Sequence, residues 1–332
     1  MAKRPILALT IGDPAGIGTE ISVKSLTKED IYHLAKPFLI GSAQVIQDTI
    51  HRLGLLLDIH QVQQVQDCRY QFGTIDVLDI DNIDLSKLEM GKVQAACGKA
   101  AYEYIHKATD LAKTGEIDAI VTAPINKEAL KAASIPYIGH TEMIAELLDA
   151  KSNMTMFMIE GMRIFFLTRH VSLAEACRLI RDPEIVYRGI QQCYDVLTDT
   201  LPHRPKLAVA GLNPHAGEGG LLGDEELVSL IPAVKRAVEA GMDVVGPVPA
   251  DSVFHFAKKG AYDAVLSLYH DQGHIASKMI DFEKTVSVTV GLPTLRTSVD
   301  HGTAFDIAGK GIASSVSMEE AIKAAVSLLA LA

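Results

Sequence analysis

The sequence predicts an α/β fold. Short apolar or β-branched runs, the pattern of buried strands, recur along the chain and are separated by longer helical patterns. These runs are Ile6–Ile11, Ala119–Val121, Met156–Ile159, Ile164–Leu167, Leu207–Ala210, Ala264–Leu268 and Val286–Val290. A chain of 332 residues corresponds to about two domains at roughly 150 residues each, and 48% hydrophobic residues allow a substantial core. Because no repeat, low-complexity linker or composition shift marks a boundary, we expect the domains to be interwoven.

Helices are predicted where apolar residues recur at i, i+3 and i+4 between Gly or Ser flanks. The segments with this pattern are Gly98–Ala112, Ser229–Ala240 and Ser317–Leu329. In the last segment, Ser317 followed by Glu320 predicts a capping box, in which the serine side chain and the glutamate satisfy free N–H groups at the helix start.

Charge and cysteine usage exclude several classes of protein. The formal net charge is −10 and no long basic run occurs, which argues against nucleic acid or an anionic membrane as the main partner. The first apolar run is too short for a secretory signal, and no run approaches the ~20 residues that cross a bilayer. The four cysteines form no Cys-x-x-Cys pair, so that reduced thiols in a soluble, cytoplasmic protein are expected and a zinc-thiolate site is not.

Three histidines occupy equivalent positions in this pattern. His170, His215 and His270 each follow a predicted strand by a few residues, and the ends of parallel strands lie along one edge, where open α/β folds bind ligands. Three neutral imidazoles would hold a divalent transition metal with coordination positions left for substrate. The alternative is that they are hydrogen-bonded loop residues without a ligand.

The neighbours of these histidines are unusually polar. The segments Leu212–Glu218 and Tyr269–Gly273 place carboxylates and amides, including Asp271, beside the candidate ligands. Such groups could orient the imidazoles. Asn-Pro, Gly and Asp also favour turns without any ligand, and this alternative stays open.

An anion site is predicted near His140. His140 and Thr141 come at the start of an apolar helical pattern, where free N–H groups and the helix dipole favour phosphate or carboxylate, although Thr141 could simply cap the helix. Lys278 and Arg296 are cations that could neutralise a phosphorylated acid or could be ordinary surface charges. The glycines after the first strand do not match the Rossmann G-x-G-x-x-G spacing. The residues alone therefore indicate a metal-assisted enzyme acting on a small anion, without deciding whether the reaction is redox.

A set of motifs, in order across nearly the whole chain, resembles the 4-hydroxythreonine-4-phosphate dehydrogenase family. The motifs are Gly12-Asp13-Pro14-Ala15-Gly16-Ile17-Gly18, Thr122-Ala123-Pro124-Ile125-Asn126-Lys127, Gly139-His140-Thr141-Glu142, Leu212-Asn213-Pro214-His215-Ala216-Gly217-Glu218, Pro249-Ala250-Asp251, Tyr269-His270-Asp271-Gln272-Gly273 and Arg296-Thr297-Ser298-Val299-Asp300-His301-Gly302-Thr303-Ala304. The set is far more specific than any one of its members. The family includes the enzyme of pyridoxal phosphate biosynthesis and relatives that oxidise D-threonate or D-erythronate 4-phosphate.

The resemblance implies two α/β/α domains with a cleft between them, similar to isocitrate and isopropylmalate dehydrogenases and unlike a Rossmann domain. We place the first domain at residues 1–130 plus 300–332, and the second at 131–299 with the dimer contacts and the metal site. The resemblance also implies NAD, with contact residues left unassigned, and a divalent cation such as Zn²⁺, Mg²⁺, Mn²⁺ or Co²⁺. It further implies a homodimer in which His270 completes the partner's metal site.

Carried over residue by residue, the resemblance assigns the site. The metal ligands would be His170, His215 and His270, and the substrate contacts would be His140, Thr141, Lys278 and Arg296. The chain has Ser287 where the family commonly has an asparagine, and a hydroxyl reaches less far than a carboxamide. This departure favours D-threonate or D-erythronate 4-phosphate as substrate.

The expected reaction is oxidation of a four-carbon 4-phosphorylated hydroxy acid by NAD, followed by decarboxylation to dihydroxyacetone phosphate. Lys278 would stabilise the enolate charge, and Asp251 and Asp271 are the candidates for acid/base work. The alternative substrate is 4-hydroxy-L-threonine 4-phosphate. More remote alternatives are a metal-dependent hydrolase or lyase and a metabolite sensor without turnover.

Overall fold

The computed structural model describes residues 4–331 and divides into two compact units. The first unit contains the chain up to Asn153 together with Val286–Ala330, and the second contains Met154–Thr285. The predicted domains are interleaved along the chain in the same way, but the structure changes unit after Asn153 and after Thr285. The two domain boundaries predicted from the sequence were after residues 130 and 299. The helices before Asn153 and the strands after Thr285 contact the elements of the first unit. Residues 1–3 and 332, the outer ends of the predicted first domain, lie outside the described residues.

The first unit has a mainly parallel sheet. Its strands, numbered along the chain, are β1 Ile6–Thr10, β2 Lys36–Gly41, β3 Asp58–Val62, β4 Thr74–Asp79, β5 Ala119–Thr122, β11 Val286–Val290 and β12 Leu295–Val299. The order is β3-β4-β2-β1-β5-β12-β11. All neighbours pair in parallel except β11 and β12, which pair antiparallel with Thr289 opposite Arg296. This hairpin brings residues from near the end of the chain beside β5.

The helices of the first unit are α1 Gly18–Ser25, α2 Glu29–Leu34, α3 Ala43–Leu53, α4 Ala95–Lys113, α5 Lys127–Ala132, α6 His140–Leu147 and α12 Val316–Leu329. Helix α4 lies so close to α5 that a Cβ at Gly98 would come within 2.1 Å of the Ala129 carbonyl oxygen. The predicted cap of α12 was wrong. Ser315, and not Ser317, precedes the helix, and its hydroxyl bonds the Glu319 carboxylate at 2.7 Å, whereas Ser317 is buried inside the first turn.

The second unit has strands β6 Met154–Ile159, β7 Met162–Phe166, β8 Leu207–Ala210, β9 Val244–Val248 and β10 Ala264–Ser267, in the order β6-β7-β10-β8-β9. Its helices are α7 Leu173–Ile180, α8 Pro183–Thr200, α9 Ile231–Glu239, α10 Ala250–Lys258 and α11 His270–Ile280. A π-helical turn, Glu226–Leu230, precedes α9. The predicted helix Ser229–Ala240 therefore begins in a π turn.

Burial explains why these segments form a sheet with covering helices. The core of the second unit is apolar and includes Phe157, Ile164, Phe166, Ala208 and Val265, all at most 3% exposed. Helix α11 packs tightly on this layer, because a Cβ at Gly273 would lie 2.5 Å from the Phe166 ring. The position of α11 relative to β7 is thus fixed by close packing.

The predicted α/β fold is confirmed, and each of the seven predicted strands coincides with an observed one to within a few residues. Strands β2, β3, β4, β9 and β12 were not predicted. Among residues 4–331, no helix combines the length and apolar character that would cross a bilayer.

Candidate active site

Three neighbouring parallel strands of the second unit lead to the three histidines. His170 comes four residues after β7, His215 five residues after β8, and His270 three residues after β10, as the first residue of α11. Strand β10 lies between β7 and β8 and pairs in parallel with both. The prediction that all three follow the ends of parallel strands is confirmed, and the structure shows that the three strands are adjacent.

A single chain does not bring the three imidazoles onto one point. The ring centres of His170 and His270 are 6.4 Å apart. Two imidazoles bound to one tetrahedral ion through bonds of about 2 Å would have ring centres roughly 5 Å apart. Within residues 4–331, no group of three or more His, Cys, Asp or Glu side chains could hold a metal ion.

The His270 ring is oriented by its neighbours on α11. Its Nδ1 lies 2.6 Å from Asp271 Oδ1. With the proton on Nδ1, the ring donates to this carboxylate and keeps the Nε2 lone pair for a metal, the arrangement found around many metal-binding histidines. Because the Asp271 carboxylate is exposed, solvent weakens its charge interaction with His270, and the main effect of the contact is to orient the ring.

His274 supports the same ring and was not identified from the sequence. Its ring stacks on His270 with centres 3.6 Å apart and an angle of 11°, and its Nδ1 donates to the His270 carbonyl at 2.8 Å. The rings of Phe157 and Phe166 lie against its other edges at 4.4 and 4.5 Å. Burial lowers the pKa of His274 to about 4, which keeps it neutral. The i, i+4 spacing from His270 was the signal that could have found it.

His215 is exposed and stands in a left-handed turn, Pro214–Gly220. The φ angles are 53° at His215, 54° at Ala216, 80° at Gly217, 45° at Glu218 and 66° at Gly219. A left-handed conformation costs an L-residue with a side chain about 1–2 kcal/mol, so that the non-glycine members need support from the surrounding structure. The predicted turn is thus present, in a strained form typical of functional sites.

The remaining predicted residues of this unit are spread over α10 and α11. Asp251 is exposed in the first turn of α10. Lys278 lies in the last turn of α11, with Nζ 4.8 Å from the centre of the Phe282 ring. Gln272 connects two strand ends, because its Nε2 donates to the Gly211 carbonyl after β8 and its Oε1 accepts the Leu268 N–H after β10, both at 2.8 Å.

In the first unit, Arg296 is a buried cation. It is 4% exposed, and its guanidinium donates to Thr122 Oγ1 at 2.7 and 3.1 Å and to Thr289 Oγ1 at 3.1 Å. Burial lowers the pKa of Arg296 to about 9, while Glu142 acts in the opposite direction, so that the group stays charged at neutral pH. Throughout the described part of the chain, no carboxylate forms an ion pair with it. A buried cation held only by hydroxyls suits an anionic ligand.

His140 lies beside this cation as the first residue of α6. Burial lowers the pKa of His140 well below its usual range, and the charge of Arg296 lowers it further, so that the ring is neutral. Its Nε2 is buried and has no hydrogen-bond partner among residues 4–331. Gly139 is the N-cap and no side chain caps the helix, so that Thr141 is not the cap. The first N–H groups of α6 therefore remain available.

Ser287 lies on the same face of the β11–β12 pair as Arg296. Ser287 and Thr289 are two residues apart on β11, and Thr289 faces Arg296 in the antiparallel register. Alternate residues of a strand, and residues directly opposite, share a face. Ser287 thus shares a face with Arg296, and His140 lies near Arg296.

Comparison with known proteins shows the family of the chain. Residues 33–325 match the family described as pyridoxal phosphate biosynthetic protein PdxA. The chain belongs to the PdxA family. A relative from Clostridium botulinum, provisionally named D-threonate 4-phosphate dehydrogenase, is 54% identical over 320 residues, 96% of each chain. A relative of the same provisional name from Halalkalibacterium halodurans is 54% identical over 98% of this chain and 97% of its own.

Solved structures give the same result for this PdxA-family chain. A 4-hydroxythreonine-4-phosphate dehydrogenase from Burkholderia phymatum is 43% identical with a TM-score of 0.87, covering 98% of both chains. The corresponding protein from Klebsiella pneumoniae is 39% identical with a TM-score of 0.91, covering 99% of both. The PdxA-family protein is therefore an enzyme of the dehydrogenase class.

Proposed function

We propose that this enzyme oxidises and decarboxylates D-threonate 4-phosphate or D-erythronate 4-phosphate to dihydroxyacetone phosphate, with NAD as oxidant and a divalent cation. The observation that carries the substrate class is the similarity, at 54% identity over 96% of both chains, to the Clostridium botulinum relative provisionally named for D-threonate 4-phosphate. The dehydrogenase class follows from the family. No residue is assigned to NAD.

The phosphate is bound by Arg296, His140 and the start of α6. A buried guanidinium without an ion pair in the described chain supplies the countercharge, and the unpartnered Nε2 of neutral His140 supplies a donor when it carries the ring proton. The free N–H groups of α6 add dipole and hydrogen bonds, with Thr141 in this first turn. Charge-assisted hydrogen bonds of this kind are the strong ones.

The metal is held by His170 and His215 of one chain and His270 of a second copy. The donor set fits a divalent transition metal, since three imidazoles are available and Asp271 leaves the Nε2 of His270 open for a metal. A second copy is needed because the three imidazoles of one chain do not converge. When bound, such a cation lowers the pKa of the substrate C3 hydroxyl and withdraws charge from the developing enolate.

The second copy is supported by exposed apolar side chains near the histidines. On and just after α11, Ile275 is 61% exposed, Met279 80% and Phe282 61%, and Leu221 beside the left-handed turn is 81% exposed. Exposed apolar side chains of this size are typical of protein contacts. We infer that this surface is the homodimer contact.

Proton transfer falls to Asp251. Asp271 is engaged with His270 and serves to orient it, whereas Asp251 is exposed at the start of α10 and can take the C3 hydroxyl proton as hydride leaves for NAD. Lys278 stabilises the enolate left when carbon dioxide departs. The four cysteines are free thiols, which supports a cytoplasmic location, where disulfides are rare.

A second candidate substrate is 4-hydroxy-L-threonine 4-phosphate, which carries an amine in place of the C2 hydroxyl. The solved structures at 43% and 39% identity, named for this activity, favour it. Ser287 argues against it, because the shorter side chain offers fewer hydrogen bonds on the face that carries Arg296.

Steady-state kinetics with NAD and both phosphorylated acids test the proposal. We expect formation of reduced nicotinamide and dihydroxyacetone phosphate, with kcat/KM higher for the hydroxy acid. A preference of about tenfold or more for the amino substrate, worth about 1.4 kcal/mol, would assign the enzyme to pyridoxal phosphate synthesis. Product without reduced nicotinamide would indicate a hydrolase or lyase, and binding without turnover a sensor.

A further inference from the structure

A buried glutamate, Glu226, binds the backbone just before the left-handed turn that carries His215. Glu226, the first residue of the π-helical turn, is 1% exposed. Its Oε1 accepts the backbone N–H groups of Leu212 and Asn213 at 2.8 and 2.7 Å, and its Oε2 accepts the Asn213 side-chain amide at 2.8 Å. One carboxylate thus holds the backbone immediately before the turn.

Two glycines leave the space that the Glu226 carboxylate and the Asn213 side chain occupy. A Cβ at Gly217 would lie 2.8 Å from Glu226 Oε2, and one at Gly223 would lie 2.5 Å from the Asn213 amide nitrogen. The turn is closed by backbone bonds from Ala216 N–H to the Asn213 carbonyl at 3.0 Å and from Leu222 N–H to the Gly217 carbonyl at 3.1 Å. The carboxylate therefore binds the segment just before the turn, at Leu212 and Asn213, and lies close to Gly217 within the turn.

We propose that Glu226 is a positioning residue that holds the left-handed turn and thereby places the His215 imidazole for the metal. Strained backbone persists only where the surrounding structure determines it, and a residue that binds two consecutive N–H groups at the entry to the turn does so. The placement of His215 for a metal rests on the proposed metal site, whereas the anchoring of the turn by Glu226 does not depend on it.

Glu225 provides a matched control. It is the neighbouring carboxylate, but its hydrogen bonds to other residues are to side chains, with Oε2 accepting from the Asn213 amide at 2.8 Å and Oε1 accepting from Arg181 at 2.9 Å. Glu225→Gln removes one negative charge beside the same amide without loss of a bond to the backbone of Leu212 or Asn213. Glu225→Gln is therefore a control for the loss of one carboxylate charge beside Asn213.

The experiment compares Glu226→Ala, Glu226→Gln and Glu225→Gln in the full chain by amide hydrogen exchange over residues 207–222 and by titration with Co²⁺ alone, followed through its visible absorption bands. We expect Glu226→Ala to speed exchange at Leu212 and Asn213 by tenfold or more and to weaken Co²⁺ binding about 10–100-fold. The exchange rates and the Co²⁺ affinity of Glu226→Gln should fall between those of the parent protein and those of Glu226→Ala, since the amide oxygen of glutamine still accepts both backbone bonds. Glu225→Gln should match the parent protein.

Unchanged exchange in Glu226→Ala, or faster exchange with unchanged Co²⁺ affinity and spectrum, would overturn the inference. If Glu226→Ala does not fold, the comparison of the two glutamine variants decides, and equal effects of both would overturn it as well. A parent protein that binds no Co²⁺ would refute the proposed metal site, while the exchange rates would still decide whether Glu226 anchors the turn.

Discussion

Replacement of Arg296 by methionine should weaken substrate binding without weakening the fold. Burial lowers the pKa of Arg296 to about 9. At about 1.4 kcal/mol per tenfold change in proton affinity, this depression corresponds to a cost on the order of 5 kcal/mol for holding the charged group. Methionine matches the aliphatic stem of arginine and avoids that cost, but it leaves the space of the guanidinium empty and the Thr122 and Thr289 hydroxyls without their partner. We therefore expect Arg296→Met to leave the free energy of unfolding equal to that of the parent or a few kcal/mol higher.

The same change should raise KM for the phosphorylated substrate about 10–100-fold, because a charge-assisted hydrogen bond is worth roughly 1.5–3 kcal/mol. Inorganic phosphate should raise the Tm of the parent and not of the variant, since a ligand stabilises only the state that binds it. Arg163→Met is the control. Burial also lowers the pKa of Arg163, and its Nε has no partner among the described residues, but it lies on β7 of the second unit. An Arg296→Met protein that is destabilised and keeps its KM would refute the reasoning and make Arg296 a structural residue.

Three further outcomes are expected. Ala at His170, His215 or His270 should each lower bound metal and abolish turnover with little change in Tm, and two variants with full metal content would contradict the shared site. Mixing His170→Ala with His270→Ala under subunit exchange should restore activity, because one site of each mixed dimer is intact; active monomers at low concentration in sedimentation would contradict it. Burial raises the pKa of Asp13 to about 6, so that the folded state prefers the protonated carboxyl. As pH rises from about 4 to 6, the parent should therefore lose roughly 3 kcal/mol of unfolding free energy relative to Asp13→Asn. Denaturant unfolding at pH 4 to 8 measures this, and a difference independent of pH would exclude it.

The sequence predicted where the histidines lie because the signal was local. A buried strand followed within a few residues by a polar segment is visible in the order of residues, and parallel pairing then places the strand ends at one edge. His140 was also predictable from a local signal, because it stands at the start of an apolar helical pattern. The cap of α12 was mistaken because Ser315 and Ser317 carry the same side chain, and only the backbone path decides which one precedes the helix.

What the sequence did not predict depends on distant contacts. The handedness of the turn at His215 is tied to Glu226, which becomes a partner only once the chain has folded back. The neighbours of Arg296 are separated from it by up to 174 residues, so that no local pattern distinguishes it from a surface arginine. His274 shows a helical spacing, but only the stacked geometry with His270 gives it a role.

The interleaved first unit has a consequence for the order in which the protein forms during synthesis. Strand β5 is complete early, but one of its neighbours, β12, emerges only after the entire second unit has been made. Until then β5 presents an open edge that can pair wrongly, a hazard that chaperones limit during translation. Arg296 reaches Thr122 at the same late moment. A nascent chain released before β12 would therefore have a complete set of candidate metal ligands and no buried cation for phosphate.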